Sequence, residues 1–287
     1  MDFSKLKTGS GNLAKLKAKL DELSASSEGP SNKDNYWKPE VDKAGNGSAV
    51  IRFLPASPTD GEDGLPWVKV FSHGFQGPGG WLIDNCLTTN NQQCPVCEHN
   101  NKLWNSGIEA NKTVARNQKR KLNYTANIYV VSDPKHPENE GRVFLFRFGK
   151  KIFDKITEAM NPAFEDETPI NPFDMWKGAD FKLRIRKVAG YQNYDSSEFA
   201  SPAALLDDDS KLEMIWKSEH SLKVLLDAKE FKSYDDLKGR LDKVLGDAPT
   251  PKTTVEQAKA MPKKPVDEEL MSEEDDDLAY FAKLAEE

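Results

Sequence analysis

Cysteine is scarce in this chain: three residues among 287. An odd number at this density argues against a disulfide framework and for a reducing compartment. Long apolar runs are lacking as well. No stretch is long enough to span a bilayer, and the N-terminus has no signal-peptide apolar core, so a cytoplasmic chain without membrane contact is expected. There is no phosphate-binding glycine loop and no Gly-x-Ser-x-Gly elbow. Zinc deaminases pair His-x-Glu with Pro-Cys-x-x-Cys. Here His73 is followed by Gly74-Phe75, and the proline falls inside the Cys-x-x-Cys. Carboxylates that could gather metal for a nuclease cluster mainly in the C-terminal tail. An enzyme is not expected.

What cysteine there is sits in one window. His73 is followed after twelve residues by Cys86, and after seven more by Cys94-Pro95-Val96-Cys97. A Cys-x-x-Cys knuckle lets two thiolates grip one tetrahedral ion, and Cys86 with a histidine completes the set. His73 and His99 are both in reach by sequence. His73 is preferred, because it ends an alternating segment, Val68-Lys69-Val70-Phe71-Ser72-His73, that can deliver a side chain to a fixed point. Four protein ligands leave no open position, so one structural Zn2+ is expected.

Charge divides the chain unevenly. The formal net charge is −7, yet residues 265–287 hold ten acidic residues and one lysine, a local −9 that leaves residues 1–264 at +2. Residues 1–24 combine Lys5, Lys7, Lys15, Lys17 and Lys19 with Leu13, Leu16, Leu20 and Leu23, an amphipathic basic helix expected to dock on another molecule. Residues 25–35 read as a Ser/Gly/Pro/Asn linker. Residues 247–287 are too polar to bury a core and are expected to be a disordered acidic tail.

The body, residues 36–246, carries strand patterns at 49–54, 67–75, 123–131, 142–148 and 181–188. Helical patterns follow at 151–160 and after residue 205, and Ser233 with Asp236 marks a capped helix start. Five strands with insertions suggest a small OB-fold barrel, with a zinc subdomain at about 67–122, rather than a doubly wound sheet.

Three groups in the body mix cations with rings. One runs through Lys112, Arg116, Lys119, Arg120 and Lys121 to Tyr124. The second holds Arg142, Phe144, Phe146, Arg147, Phe148, Lys150, Lys151 and Phe153. The third alternates Phe181, Leu183 and Ile185 with Lys182, Arg184 and Arg186, followed by Tyr191 and Tyr194. Unpaired nucleic acid asks for this pairing, since cations track phosphates while rings stack on bases without reading sequence. Duplex recognition would call for a helix or ribbon presented to a groove, and no helix-turn-helix or finger repeat is present. The alternatives are a sequence-reading regulator and a zinc-organised scaffold.

Several ordered runs carry a further likeness: Gly45-Asn46-Gly47, Ala49-Val50-Ile51-Arg52-Phe53-Leu54-Pro55, Pro137-Glu138-Asn139-Glu140-Gly141, Arg147-Phe148-Gly149-Lys150-Lys151-Ile152 and Phe231-Lys232-Ser233. Together with the zinc spacing they resemble the single-stranded-DNA-binding proteins of T-even-like bacteriophages, over roughly residues 36–246. The resemblance implies an OB-fold barrel with a zinc subdomain ligated by His73, Cys86, Cys94 and Cys97. It implies a cleft lined by Arg52, Lys119, Arg120, Lys121, Tyr124, Arg147, Tyr191 and Tyr194. Phe146 and Phe153 stand where that family has Tyr and Trp, and Trp104 replaces another cleft ring. Lys150 and Lys151 join the same surface. It further implies cooperative head-to-tail binding through the N-terminal segment, in which Lys5-Leu6-Lys7-Thr8 and Gly9-Ser10 form a loose basic-then-hydroxyl motif. The acidic tail would recruit replication and recombination proteins. Such a protein would coat single-stranded DNA during replication, recombination and repair in the cytoplasm of an infected bacterium.

Overall fold

In residues 121–132 Leu122, Tyr124, Ala126, Ile128 and Val130 alternate with Asn123, Thr125 and Asn127. Nearly all are buried, so both faces of this strand are covered. The polar members are tolerated inside because they are paired: the Asn127 amide donates to the His220 carbonyl at 2.8 Å and accepts from the His220 N–H at 3.0 Å. A computed structural model describes residues 35–246 other than 165 and 189. The expected N-terminal helix (1–24), most of the linker (25–35) and the acidic tail (247–287) lie outside the described residues. The chain divides into two units, residues 1–37 and 38–287. Of the first, the described part is the strand β1 (Tyr36–Trp37) and the residue before it.

The described residues of the second unit are mainly β-sheet with five α-helices. Its strands are β2 (Gly47–Phe53), β3 (Trp67–Gly77), β4 (Gly80–Asn85), β5 (Lys121–Ser132), β6 (Val143–Phe148), β7 (Phe181–Val188), β8 (Tyr191–Asn193) and β9 (Glu198–Phe199). The helices are α1 (Pro95–Asn105), α2 (Glu109–Gln118), α3 (Lys150–Met160), α4 (Asp209–Lys217) and α5 (Tyr234–Leu245). Strand β5 organises the sheet. On one edge it pairs with β3 along residues 121–126 and with β2 along 128–132, and on the other with β6, all antiparallel. From β2 the sheet continues through β7 to β8. Among the described residues no pairing joins β6 to β7 or β8. The sheet is therefore open, where the sequence led to the expectation of a closed OB barrel.

The five strand patterns and the helices at 151–160 and after 205 all have counterparts, with ends displaced by at most four residues and 181–188 matched at both ends. The patterns missed β4, β8 and β9, and the helices α1 and α2, which fill the segment from Cys94 to β5. Side chains on the inner face of β7, Phe181, Leu183 and Ile185, are buried, while Arg184, Arg186 and Lys187 are exposed.

A second core lies around the β3–β4 hairpin. Phe75, Leu82, Cys86, Leu87, Cys94 and Val96 pack with Leu237, Leu241 and Val244 of α5. Helix α5 begins at Ser233, whose Oγ accepts from the Asp236 N–H at 3.2 Å, and ends at Gly246 in the left-handed region (φ 83°). Asp84 on β4 ties the two together through Lys232 at 3.2 Å and Arg240 at 3.1 Å. The approach is close enough to require glycine: Gly79 N–H donates to the Val244 carbonyl at 2.8 Å, and a Cβ there would collide with the Lys243 carbonyl.

Candidate metal centre and nucleic-acid interface

Three elements bring the candidate metal ligands together. His73 lies on β3 opposite Asp84. Cys86 follows β4 directly, held by its N–H to the Phe71 carbonyl at 2.8 Å. Cys94 caps the N-terminus of α1 and Cys97 lies in its first turn, with Pro95 at the first helical positions, where its missing N–H costs nothing. The turn between Cys86 and Cys94 is closed by Asn91 in the left-handed region (φ 57°), a conformation asparagine tolerates.

The four ligand atoms lie within 4.8 Å of one another. Cys86 Sγ is 3.5 Å from Cys97 Sγ, and His73 Nε2 is 3.5 Å from Cys94 Sγ and 3.7 Å from Cys97 Sγ. A tetrahedral zinc with sulfur at about 2.3 Å and nitrogen at about 2.0 Å has edges of roughly 3.5–3.8 Å. The donor set fits such an ion, and His73 rather than His99 is the histidine placed beside the three cysteines. The electrostatics agree. Burial disfavours the His73 imidazolium, but Cys86 and Cys94 outweigh it and raise the group to about 9. Hydrogen bonding from Cys86 and then Cys97 drives Cys94 towards thiolate, while Cys86 and then Cys94 hold Cys97 protonated. A divalent cation is what would let all three sulfurs ionise. The N-terminus of α1 adds its positive end to the same point.

Beside the metal hairpin, one face of β3 and β5 carries a strip of rings and cations. Residues paired across an antiparallel ladder share a face, and the register sets Trp67 against Ala126, Lys69 against Tyr124 and Phe71 against Leu122. Phe153 from α3 lies flat on Tyr124, with ring centroids 3.9 Å apart and planes 4° apart. Trp67 meets Phe153 edge-on at 5.6 Å, and Phe148 is stacked on the Tyr124 side at 6.0 Å. At the other end Lys69 Nζ is 5.0 Å and Arg120 Cζ 4.1 Å from the Phe71 centroid. Lys69 and Arg120 are exposed, while Trp67, Phe71 and Phe153 are partly exposed.

The candidate residues do not all meet there. Tyr124, Phe153 and Arg120 belong to the strip, although Tyr124 is 7% exposed, with Phe153 and Phe148 against it. Arg52 is a correction. It is 1% exposed, and each of its nitrogens is engaged: Nε with Asp180 at 2.9 Å, Nη2 with the Ala203 carbonyl at 3.1 Å and Nη1 with the Asp174 carbonyl at 3.4 Å. It braces the fold and offers nothing to a ligand. Phe146 is a second correction. It shares the buried face of β6 with Phe144 and Phe148 and is 4% exposed, so it packs in the core.

Arg147 alternates with those rings and is exposed on the other side of β6, opposite Thr125. Lys121, opposite Ser72, likewise faces away from Tyr124, and burial lowers its pKa. Lys119 is partly buried and Lys151 exposed; Lys150, also on the surface, pairs with Asp154 at 2.9 Å. Trp104 on α1 lies under Arg116 (5.4 Å) and Lys112 (6.0 Å) of α2, a separate ring-and-cation pair. Tyr191 (49% exposed) and Tyr194, whose hydroxyl donates to Gln192 at 2.8 Å, lie at the β8 end of the sheet. Lys69, Phe71 and Trp67 were not among the candidates. Their alternation in residues 67–73 was the signal that could have found them.

The family model described as gp32 DNA binding protein like matches residues 45–245, most of the described body. The single-stranded DNA-binding protein of Enterobacteria phage T2 is 39% identical over 243 residues, covering 82% of this chain and 78% of its own length. That of Enterobacteria phage T4 is 38% identical over 242 residues, with the same coverages. A match of 39% over 98 residues links a third of the chain to the single-stranded DNA-binding protein of Escherichia phage SV14. On the extent of these matches, the chain belongs to the gp32 DNA binding protein like family.

Proposed function

We propose that this chain binds single-stranded DNA without sequence preference. The observation that carries the reading is the strip in which Arg120, Phe71, Lys69, Tyr124, Phe153 and Trp67 alternate cations with rings on one sheet face. Exposed cations beside rings suit phosphates followed by unpaired bases, and the printed function of the phage relatives agrees. The role is one of binding, with no catalytic step.

His73, Cys86, Cys94 and Cys97 would hold one zinc ion. When bound, it neutralises the thiolates and fixes the hairpin on which Phe71 and Lys69 sit. The β5-centred sheet, with two strands sharing one edge, is read as an opened-out OB-type arrangement. The N-terminal segment is assigned to contact between protomers along DNA, and the acidic C-terminal segment to recruitment of phage replication and recombination proteins. The setting is the cytoplasm of an infected bacterium. Among the described residues no helix is long and apolar enough to cross a membrane.

The test is titration with an unstructured oligo-thymidine at low and high salt, following aromatic fluorescence, with duplex as control. Quenching by the single strand, weakened by salt, is the expected result. A stronger response to duplex would favour a sequence-reading regulator, and no response to either a scaffold.

A further inference from the structure

Thr88 stands between the metal ligands and the strip. Its hydroxyl oxygen is 3.1 Å from Cys86 Sγ and 2.6 Å from Arg120 Nη1. A guanidinium can only donate, so Thr88 accepts from Arg120; between Thr88 and Cys86 either group can donate, and towards a thiolate only Thr88 can. The guanidinium is held a second time, with Cζ 4.1 Å from the centroid of the Phe71 ring. Phe71 is itself fixed by the same turn: its N–H donates to Thr89 Oγ1 at 2.9 Å, and its carbonyl accepts from the Cys86 N–H at 2.8 Å. Two adjacent threonines, just after one metal ligand, therefore hold the two halves of one cation–aromatic pair.

We propose, on the single-strand reading given above, that Thr88 and Phe71 are positioning residues that hold Arg120 as a fixed phosphate contact, with the Cys86 sulfur orienting the Thr88 hydroxyl. A surface arginine ordinarily loses much rotamer freedom when it grips a ligand, and one already held loses less. Only part of one terminal nitrogen is committed to Thr88, so the remaining donors of the exposed guanidinium are available to the two oxygens of a phosphate. A metal-bound thiolate has no proton to give. Sulfur, hydroxyl and guanidinium then form a relay with a single donor direction, and loosening the metal turn loosens Arg120.

The experiment measures the salt dependence of oligo-thymidine binding for the full chain and for Arg120→Gln, Thr88→Val, Thr88→Ser and Phe71→Leu. It is paired with nitrogen-15 spectra of the arginine side chains without DNA. One phosphate contact on a single strand corresponds to a slope of about 0.7 in log affinity against log salt. Arg120→Gln is expected to remove that amount. Thr88→Val and Phe71→Leu should approach it, and Thr88→Ser should keep the wild-type slope. In the spectra a slowly exchanging Arg120 guanidinium should persist in wild type and Thr88→Ser, and be lost in Thr88→Val and after chelation. Thr88→Val with the wild-type slope, or an Arg120 signal indifferent to both changes, overturns the proposal while single-strand binding stands. A wild-type chain that ignores the single strand overturns the binding reading and this contact with it.

Discussion

Arg52 and Asp180 form an ion pair at 2.9 Å in which the arginine is 1% exposed and the aspartate side chain 31%. With two backbone carbonyls also accepting from the guanidinium, this pair ties β2 to the start of β7 and to the segments holding Asp174 and Ala203. Removing one partner strands the other, at about 3–5 kcal/mol for buried pairs. The exposure of Asp180 favours the lower end. Arg52→Ala should lower the urea midpoint accordingly, while the salt slope of oligo-thymidine binding stays unchanged. A lost slope at unchanged stability would return Arg52 to the binding face.

Glu219 is 5% exposed, and both its carboxylate oxygens lack a hydrogen-bond partner. Burial first, and the neighbouring Asp60 second, raise its pKa to about 9. The folded chain thus keeps a proton that the unfolded chain releases near the ordinary carboxylate value. This contribution is complete below about pH 4.5 and is lost as pH climbs towards 9, at no more than roughly 1.4 kcal/mol per pH unit. Glu219→Gln should flatten that decline and be the more stable protein at pH 8 to 9. Denaturation midpoints from pH 5 to 9 for both proteins measure this.

Chelation is expected to act locally. Linkage at a thousandfold excess over Kd contributes about 4 kcal/mol, roughly thousandfold in amide exchange. That increase should appear in β3, β4, α1 and α5, whose side chains meet in the metal-side core, while the β2–β7 ladder keeps its protection. Uniform loss of protection, or none, would contradict a local structural ion.

Gly79 and the last turn of α5 leave no space for a methyl group. Gly79→Ala should cost about 1–3 kcal/mol, as overpacking does. The loss should appear as undocking of α5, read by proteolysis near residue 234.

Phe153 supplies the flat partner of Tyr124. Alanine substitution at stacking rings weakens single-strand binding by roughly 1–3 kcal/mol per base. Phe153→Ala should therefore reduce oligo-thymidine affinity about five- to a hundredfold, and Phe153→Tyr should leave it near wild type. Equal affinities for all three would remove the ring from the interface.

The His73, Cys86, Cys94 and Cys97 cluster was legible because it is written in local spacing, and strands such as 181–188 because alternation is a short-range property. What escaped depends on partners distant in sequence. Nothing near Arg52 announces Asp180, and nothing near Glu219 announces Asp60, about 160 positions away. Phe146 was placed in the cleft by the family resemblance, which matches positions without saying what covers each ring in this chain. The converse holds for Lys69 and Phe71, whose shared face was readable but whose neighbour Arg120 is delivered by a strand pairing that the pattern does not specify.

The roof of the metal hairpin is the last described helix of the body. During synthesis His73, Cys86, Cys94 and Cys97 emerge well over a hundred residues before Leu237, Leu241 and Val244, which share a core with the three cysteines. The hairpin that could hold an ion is therefore made, and open to one, before the helix that completes its core exists.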